Sequence, residues 1–107
     1  MDMVNQFEVH LVSLDPTKGT EIKKTRPCVI VSPNEMNHTL KTTIVAPLTS
    51  TRRNFPSRVE TSFEGKKGEV ALDQIRAVDQ GRLGKYLGKI DTKTANQMLT
   101  VLQEIFS

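Results

Sequence analysis

An arginine that opens an apolar strand, with a carboxylate five residues before it, is a pairing suited to a phosphate ester. Glu21 ends the loop Asp15-Pro16-Thr17-Lys18-Gly19-Thr20-Glu21, and Arg26-Pro27 leads into Cys28-Val29-Ile30-Val31. Asp-Pro and Lys-Gly form turns, and Gly19 permits a positive φ. In such a pair the carboxylate handles a proton and the guanidinium stabilises an oxyanion. A loop that meets a rigid strand is where binding residues are usually held. The plainer reading is a solvated hairpin loop with a surface ion pair. Two further segments carry matching groups. Val45-Ala46-Pro47-Leu48-Thr49-Ser50 ends in two hydroxyls, and Gly68-Glu69-Val70-Ala71-Leu72-Asp73-Gln74-Ile75-Arg76 supplies an acid, an amide and a guanidinium. Their plainer readings are a turn start at Thr49-Ser50, a strand-end pair of Asp73 with Arg76, and a Gln74 that satisfies backbone groups.

The charge is unevenly placed. The 107 residues carry a net +3, but residues 1–17 hold three acids and no base. Residues 18–58 hold eight bases against two acids, and residues 59–107 hold seven of each. Basic side chains interleaved with hydroxyls and with Asn54-Phe55 suit a groove that tracks phosphates. His10 and His38 lie outside these segments and are expected to be structural or surface residues. No His/Cys cluster has metal-ligand spacing, and no cofactor is expected. Cys28 is the only cysteine, so no intrachain disulfide is expected, and its place in an apolar strand marks it as a buried small hydrophobe.

The elements that must position these groups are short. Hydrophobic content of 36% and charged content of 25% fit one ordinary globular domain, residues 1–107. Strands are expected at 7–13, 26–32, 42–48, 58–63, 69–74 and 85–90, with Pro47 making the third irregular or placing it at an edge near its end. A helical turn capped by Asn34 is expected at 34–37. A C-terminal helix capped by Asp91 or Thr92 carries the stripe Ala95, Met98, Leu99, Leu102, Ile105 and Phe106. This is a mainly β chain with a C-terminal helix, in the form of a small barrel. No apolar run approaches membrane-spanning length, and no basic n-region with a long apolar stretch marks a signal peptide, so a cytoplasmic protein without membrane contact is expected.

Arg26-Pro27, the segments ending in Thr49-Ser50 and Arg76, and Leu11-Val12-Ser13-Leu14-Asp15-Pro16 together closely resemble the PemK/MazF toxin family of toxin–antitoxin systems. The resemblance runs from about Glu8 to the C-terminus with the motifs in the family's order. It implies an SH3-like barrel of the CcdB-like type, a homodimer, an acidic cognate antitoxin, and metal-independent, sequence-specific cleavage of single-stranded RNA. It also implies roles. Arg26 and Thr49 match positions assigned to transition-state stabilisation. Glu21 matches an acid important in some members, and Asp73 matches the acid assigned as base in others. Ala71 stands where a well-described member has an arginine assigned as general acid, so the base, Glu21 or Asp73, stays open, and Arg26 is left as both charge stabiliser and proton donor. Phe7 before the first-strand acid Glu8, and His10 after it, also depart from the family's glycine and aromatic.

RNA brings its own nucleophile, the 2′-hydroxyl, so the enzyme must align it, take its proton and stabilise the phosphorane. Lys18, Thr20, Ser50, Arg52, Arg53, Asn54, Phe55, Gln74 and Arg76 are the expected RNA contacts, with Phe55 stacking on a base. Products would be a 2′,3′-cyclic phosphate and a 5′-hydroxyl. The runner-up reading is a non-catalytic toxin of the same fold that inhibits a protein such as DNA gyrase, and a third is a passive RNA-binding module.

Overall fold

A computed structural model describes residues 3–107. Its strands are β1 (Glu8–Ser13), β2 (Thr25–Ile30), β3 (Thr42–Thr49), β4 (Arg58–Phe63), β5 (Lys66–Ala71), β6 (Arg76–Asp79) and β7 (Leu83–Lys89). The helices are α1 (Asn34–Asn37) and α2 (Thr92–Ile105), with single 3-10 turns at Leu72–Gln74 and Gln80–Arg82. The strands are antiparallel in the order β4-β5-β3-β2-β1-β7, and β6 also pairs with β3. This is the mainly β architecture with a C-terminal helix that the sequence predicts, the expected small barrel taking the form of a half-barrel.

The middle of the sheet is buried on both faces, which explains the unbroken apolar run in β2. Val29 and Val31 point into one cluster with Val9, Ala46, Val70, Ala95 and Met98. Cys28 and Ile30 point the other way, to Val12, Leu14, Val45 and Val78. The first cluster lies under α2. The second is closed by the 14–24 loop, through Leu14 and Ile22, and by Leu83.

Strand β3 is the scaffold for the candidate site. Thr42–Val45 pair with β6, whereas Leu48 and Thr49 stand opposite Val70 and Glu69 of β5. The chain leaves β5, tightens at Leu72–Gln74 and rejoins the same β3 edge as β6. Pro47 is fully buried at this change of partner, where its missing N–H costs least. The irregularity expected at Pro47 is therefore real, but it lies inside the sheet.

Several boundaries differ from the sequence reading. The fifth strand begins three residues earlier and ends at Ala71, and β6 was not foreseen. In β6 only Val78 is buried, so its apolar pattern is too sparse to read. Asn34 is not a cap. Pro33 precedes α1, and the Asn34 side chain accepts the Gln6 N–H at 2.7 Å. Asp91 is the α2 cap, accepting the Thr94 N–H at 3.3 Å. The α2 stripe divides: Ala95 and Met98 are buried, while Leu99 and Ile105 stay exposed and Phe106, beyond the helix, is 73% exposed.

Met98 is fully buried between α2 and the sheet. Met98→Ala should therefore cost about 2–5 kcal/mol of stability. Urea unfolding followed by circular dichroism checks this, with a lower midpoint and an unchanged slope expected.

Candidate active site

Two clefts draw on the C-terminal end of β3, one lined by Leu48 and Thr49 and the other by Pro47. Arg26, Leu48, Thr49, Ser50 and Glu69 line the first, of about 370 Å3. Thr20, Glu21, Pro47, Asp73, Gln74 and Arg76 line the second, of about 430 Å3. The fold thus gathers residues far apart in sequence into two neighbouring groups.

Arg26 is fixed by β2 and by the loop before it. It stands opposite Val12 of β1, and its Nε donates to the Lys23 carbonyl at 3.0 Å. Lys24 takes a left-handed φ of 72°, with its N–H on Asp15 Oδ1 at 3.0 Å and its carbonyl accepting the Leu14 N–H. Asp15 therefore serves the turn. Three side chains fasten the loop from outside. Arg76 Nη1 donates to the Leu14 carbonyl at 2.8 Å, Arg82 Nη1 donates to the Asp15 carbonyl at 2.7 Å, and Gln74 accepts the Ile22 N–H at 3.1 Å. Gln74 does satisfy a backbone group, and Arg76 holds a carbonyl rather than Asp73. Nothing in the sequence near Arg82 marks its anchoring role.

Thr49 ends β3, and its Oγ1 accepts the Thr51 N–H at 3.2 Å. Gly68 of β5 lies so close that any Cβ would run into the Thr49 carbonyl oxygen. Ser50 is exposed beside it. Glu21 is also exposed, and its Oε1 accepts the Lys18 N–H at 2.6 Å, folding the side chain over its own loop. Lys18 and Thr20 are exposed on that loop.

Asp73 is held by Arg58, not by Arg76. Arg58 Nε lies 2.6 Å from Oδ1 and Nη2 lies 3.2 Å from Oδ2, while Ser57 Oγ donates to Oδ1 at 3.0 Å. The Arg58 hydrogen bond holds the Asp73 carboxyl below its usual range, against a weaker opposing push from burial. The same guanidinium sits 5.3 Å above the centre of the Phe55 ring, which is 49% exposed.

Glu69 is the site residue that the sequence left without a role. It is 1% exposed, with Oε1 accepting the Arg53 N–H at 2.9 Å and Oε2 accepting the Asn54 N–H at 3.0 Å. Arg58 Nη1 approaches Oε1 at 3.5 Å. Burial pushes the Glu69 carboxyl up, but the two N–H groups and Arg58 together outweigh it and leave it below the ordinary value. Arg52, by contrast, pairs with Glu60 and lines the groove between β4 and α2. Glu64, on the β4–β5 turn, adds a further carboxylate to the Arg26 cleft.

Neither histidine lines either cleft. His10 meets Glu8 at 3.0 Å and the edge of the Tyr86 ring, and His38 Nε2 contacts the Val4 carbonyl at 3.0 Å. Burial pushes the Cys28 thiol up to about 12, so it stays protonated and inert. Among the described residues no group of three or more His, Cys, Asp or Glu gathers as a metal site.

Residues 5–106 match the family described as PemK-like, MazF-like toxin of type II toxin–antitoxin systems. The chain belongs to this family. It is 36% identical to Endoribonuclease PemK of Escherichia coli, over 94% of this chain and 80% of that protein. It is 29% identical to Endoribonuclease MazF of Staphylococcus saprophyticus, over 90% and 85%. The backbone superposes on MazF from Deinococcus radiodurans with a TM-score of 0.87 at 20% identity, covering 99% and 98% of the two chains. A mycobacterial endoribonuclease, solved with its cognate antitoxin, gives 0.82 at 27% identity over 96% and 94%. For this PemK/MazF-family chain, the first of these two structures carries the fold alone.

The depressed carboxyls set a pH dependence. Asp73 and Glu69 ordinarily titrate near 3.8 and 4.5, and both are lowered in the folded state. Their stabilisation is complete above those ordinary values and is lost as pH falls through the lower folded ones. The urea midpoint should therefore drop from about pH 5 downward. Glu69→Gln should lower neutral-pH stability by roughly 1–3 kcal/mol and flatten that acid slope. An unchanged slope would show that Glu69 is not coupled to folding.

Proposed function

We propose that this chain is a toxin that cuts single-stranded RNA endonucleolytically, through attack of the substrate's own 2′-hydroxyl. The observation that carries this is the convergence of Arg26 and Thr49 on one cleft, with Glu21 lining a second cleft that takes the preceding β3 residue, Pro47. Support also comes from the relatives named endoribonucleases. The reaction forms an O2′–P bond and breaks the P–O5′ bond. It leaves a 2′,3′-cyclic phosphate and a 5′-hydroxyl.

Arg26 is the oxyanion group in this mechanism. Its planar fork stays protonated and suits the phosphorane oxygens. Thr49 Oγ is occupied as an acceptor, which leaves its O–H free to donate to the same phosphate. Glu21 is the base that takes the 2′-hydroxyl proton. Asp73 is a poorer base, because Arg58 occupies both oxygens and lowers its proton affinity. Arg58 stands opposite Ala71 and brings a guanidinium to that neighbourhood, but its donors are committed to Asp73 and Glu69. That leaves Arg26 to serve the departing 5′-oxygen as well. Selectivity for short sequences would come from Lys18, Thr20, Ser50, Arg53, Asn54 and Phe55 around the clefts, with Gln74 and Arg76 holding the floor. Arg52 would meet only RNA that continues toward the β4–α2 groove.

Arg26→Ala should slow cleavage of a long RNA by about a hundredfold or more, with the circular dichroism spectrum unchanged. Cleavage should persist in EDTA, because Glu21, Arg26 and Thr49 supply the base and the charge stabilisation in this mechanism. Near wild-type turnover in the variant would return Arg26 to a structural role. Glu21→Gln should then lose more turnover than Asp73→Asn at equal RNA affinity, and the reverse order would make Asp73 the base.

We further propose a homodimeric, cytoplasmic toxin neutralised by an acidic antitoxin. The exposed Lys18, Lys23, Lys24 and Arg53 have no carboxylate within ion-pair distance among the described residues. A mycobacterial relative was solved with its antitoxin, and among the described residues no helix is long and apolar enough to cross a membrane. Light scattering at micromolar protein should give the dimer mass. An acidic antitoxin peptide should displace RNA, with RNA affinity falling steeply in salt. A monomer that cleaves at full rate, or a peptide that binds beside RNA, would contradict this assembly.

A further inference from the structure

The Arg53–Asn54 turn is built as an anion cradle. Two successive backbone N–H groups point at one carboxylate, at 2.9 and 3.0 Å. Asn54 has a φ of 56°, a left-handed step of the kind that turns neighbouring N–H groups to one side. The anion in the cradle is the chain's own Glu69. Its Cα stands opposite that of Thr49 in the β3–β5 ladder, and it forms part of the wall of the Arg26 cleft. A buried carboxylate is costly unless hydrogen bonds satisfy it. Here the loop supplies the two short ones, so the carboxylate and the loop fix each other's position. Arg58 ties the same point to Asp73 and lies over the Phe55 ring.

Resting on the endoribonuclease reading, we propose that Glu69 is a positioning residue for RNA: it clamps residues 50–57 against the Arg26 cleft, so that Arg53, Asn54 and Phe55 meet the nucleotides beside the scissile bond in a single register. Glu69 acts through the loop and does not itself touch RNA. A loop ordered in advance spares the entropy cost of ordering at binding, whereas a loosened one holds the RNA strand more weakly and in more than one register. A slack loop would therefore be read as weaker binding and as cuts at new sequences.

The test is Glu69→Gln, which keeps the shape but offers one acceptor oxygen to two N–H groups. The first arm needs no activity. Amide exchange at Arg53 and Asn54 should quicken by about tenfold or more beyond any common rise that the α2 and β2 amides show from lost global stability. Unchanged exchange at both would overturn the clamp. The second arm maps cuts on a long RNA beside the wild type. KM should rise by about tenfold, kcat should fall less than about threefold, and new cleavage sites should appear. The same sites at the same KM, with only a uniform loss of kcat, would overturn the positioning role. A wild type that leaves RNA intact would remove the endoribonuclease reading and the RNA part of this proposal, while the exchange arm still reports on the clamp. Should the variant fold poorly, the wild type serves. The Arg53 and Asn54 amide shifts should move together in acid, with a common midpoint below the ordinary 4.5 of a glutamate. Independent or absent movement would overturn the clamp.

Discussion

The contact between the buried Glu69 carboxylate and its donors holds the working end of this molecule together. Arg58 is nearly buried and spans Glu69 and Asp73, while Glu69 takes the backbone of Arg53 and Asn54. Removing either partner of a buried charge pair strands the other, which is far costlier than losing a surface ion pair. The constraint therefore joins three pieces of the site: the end of β5, the 3-10 turn after it and the 50–57 loop. A loop so tied offers its exposed side chains from a fixed backbone, which suits recognition of a flexible single strand.

Strand β3 transmits that order to the candidate catalytic groups. Its end carries Thr49 beside Gly68, and its other edge pairs Pro47 with Cys28 of β2, one residue from Pro27 and two from Arg26. A core on each face of the sheet makes this frame stiff. The 14–24 loop is less deeply held, but Arg76, Arg82 and Gln74 fasten it at Leu14, Asp15 and Ile22. Glu21 is thus carried on a loop pinned on both sides, with the carboxylate itself still open to solvent.

The sequence made the frame and the candidate catalytic groups legible, because both leave local patterns. Cys28–Val31 is apolar throughout, Asp91 precedes a helical stripe, and Arg26 stands as a charge at the head of a buried strand. The network that organises the 50–57 loop was not legible. Glu69 lies in the Gly68–Arg76 segment, yet nothing in one dimension tells a buried acid from a solvated one. Arg58 looked like one of eight bases in a positive stretch. Asp73 was paired by proximity with Arg76, three residues on, whereas its partner comes across the β4–β5 hairpin, where Arg58 stands opposite Ala71. Strand β6 escaped because its only buried residue is Val78, and Arg52, on the loop before β4, turns to Glu60 of that strand, a contact that spacing does not show.

The account centres on a reaction in which the substrate's 2′-hydroxyl attacks its own phosphate under Arg26. The most direct measurement is the chemistry of the new ends, read by mass spectrometry of a short RNA after cleavage, with a strand carrying 2′-deoxyribose at the cut site alongside. The account predicts a 2′,3′-cyclic phosphate on one fragment, a 5′-hydroxyl on the other, and no cleavage of the deoxy-substituted strand. A 5′-phosphate end, or cleavage of the deoxy-substituted strand, would contradict it.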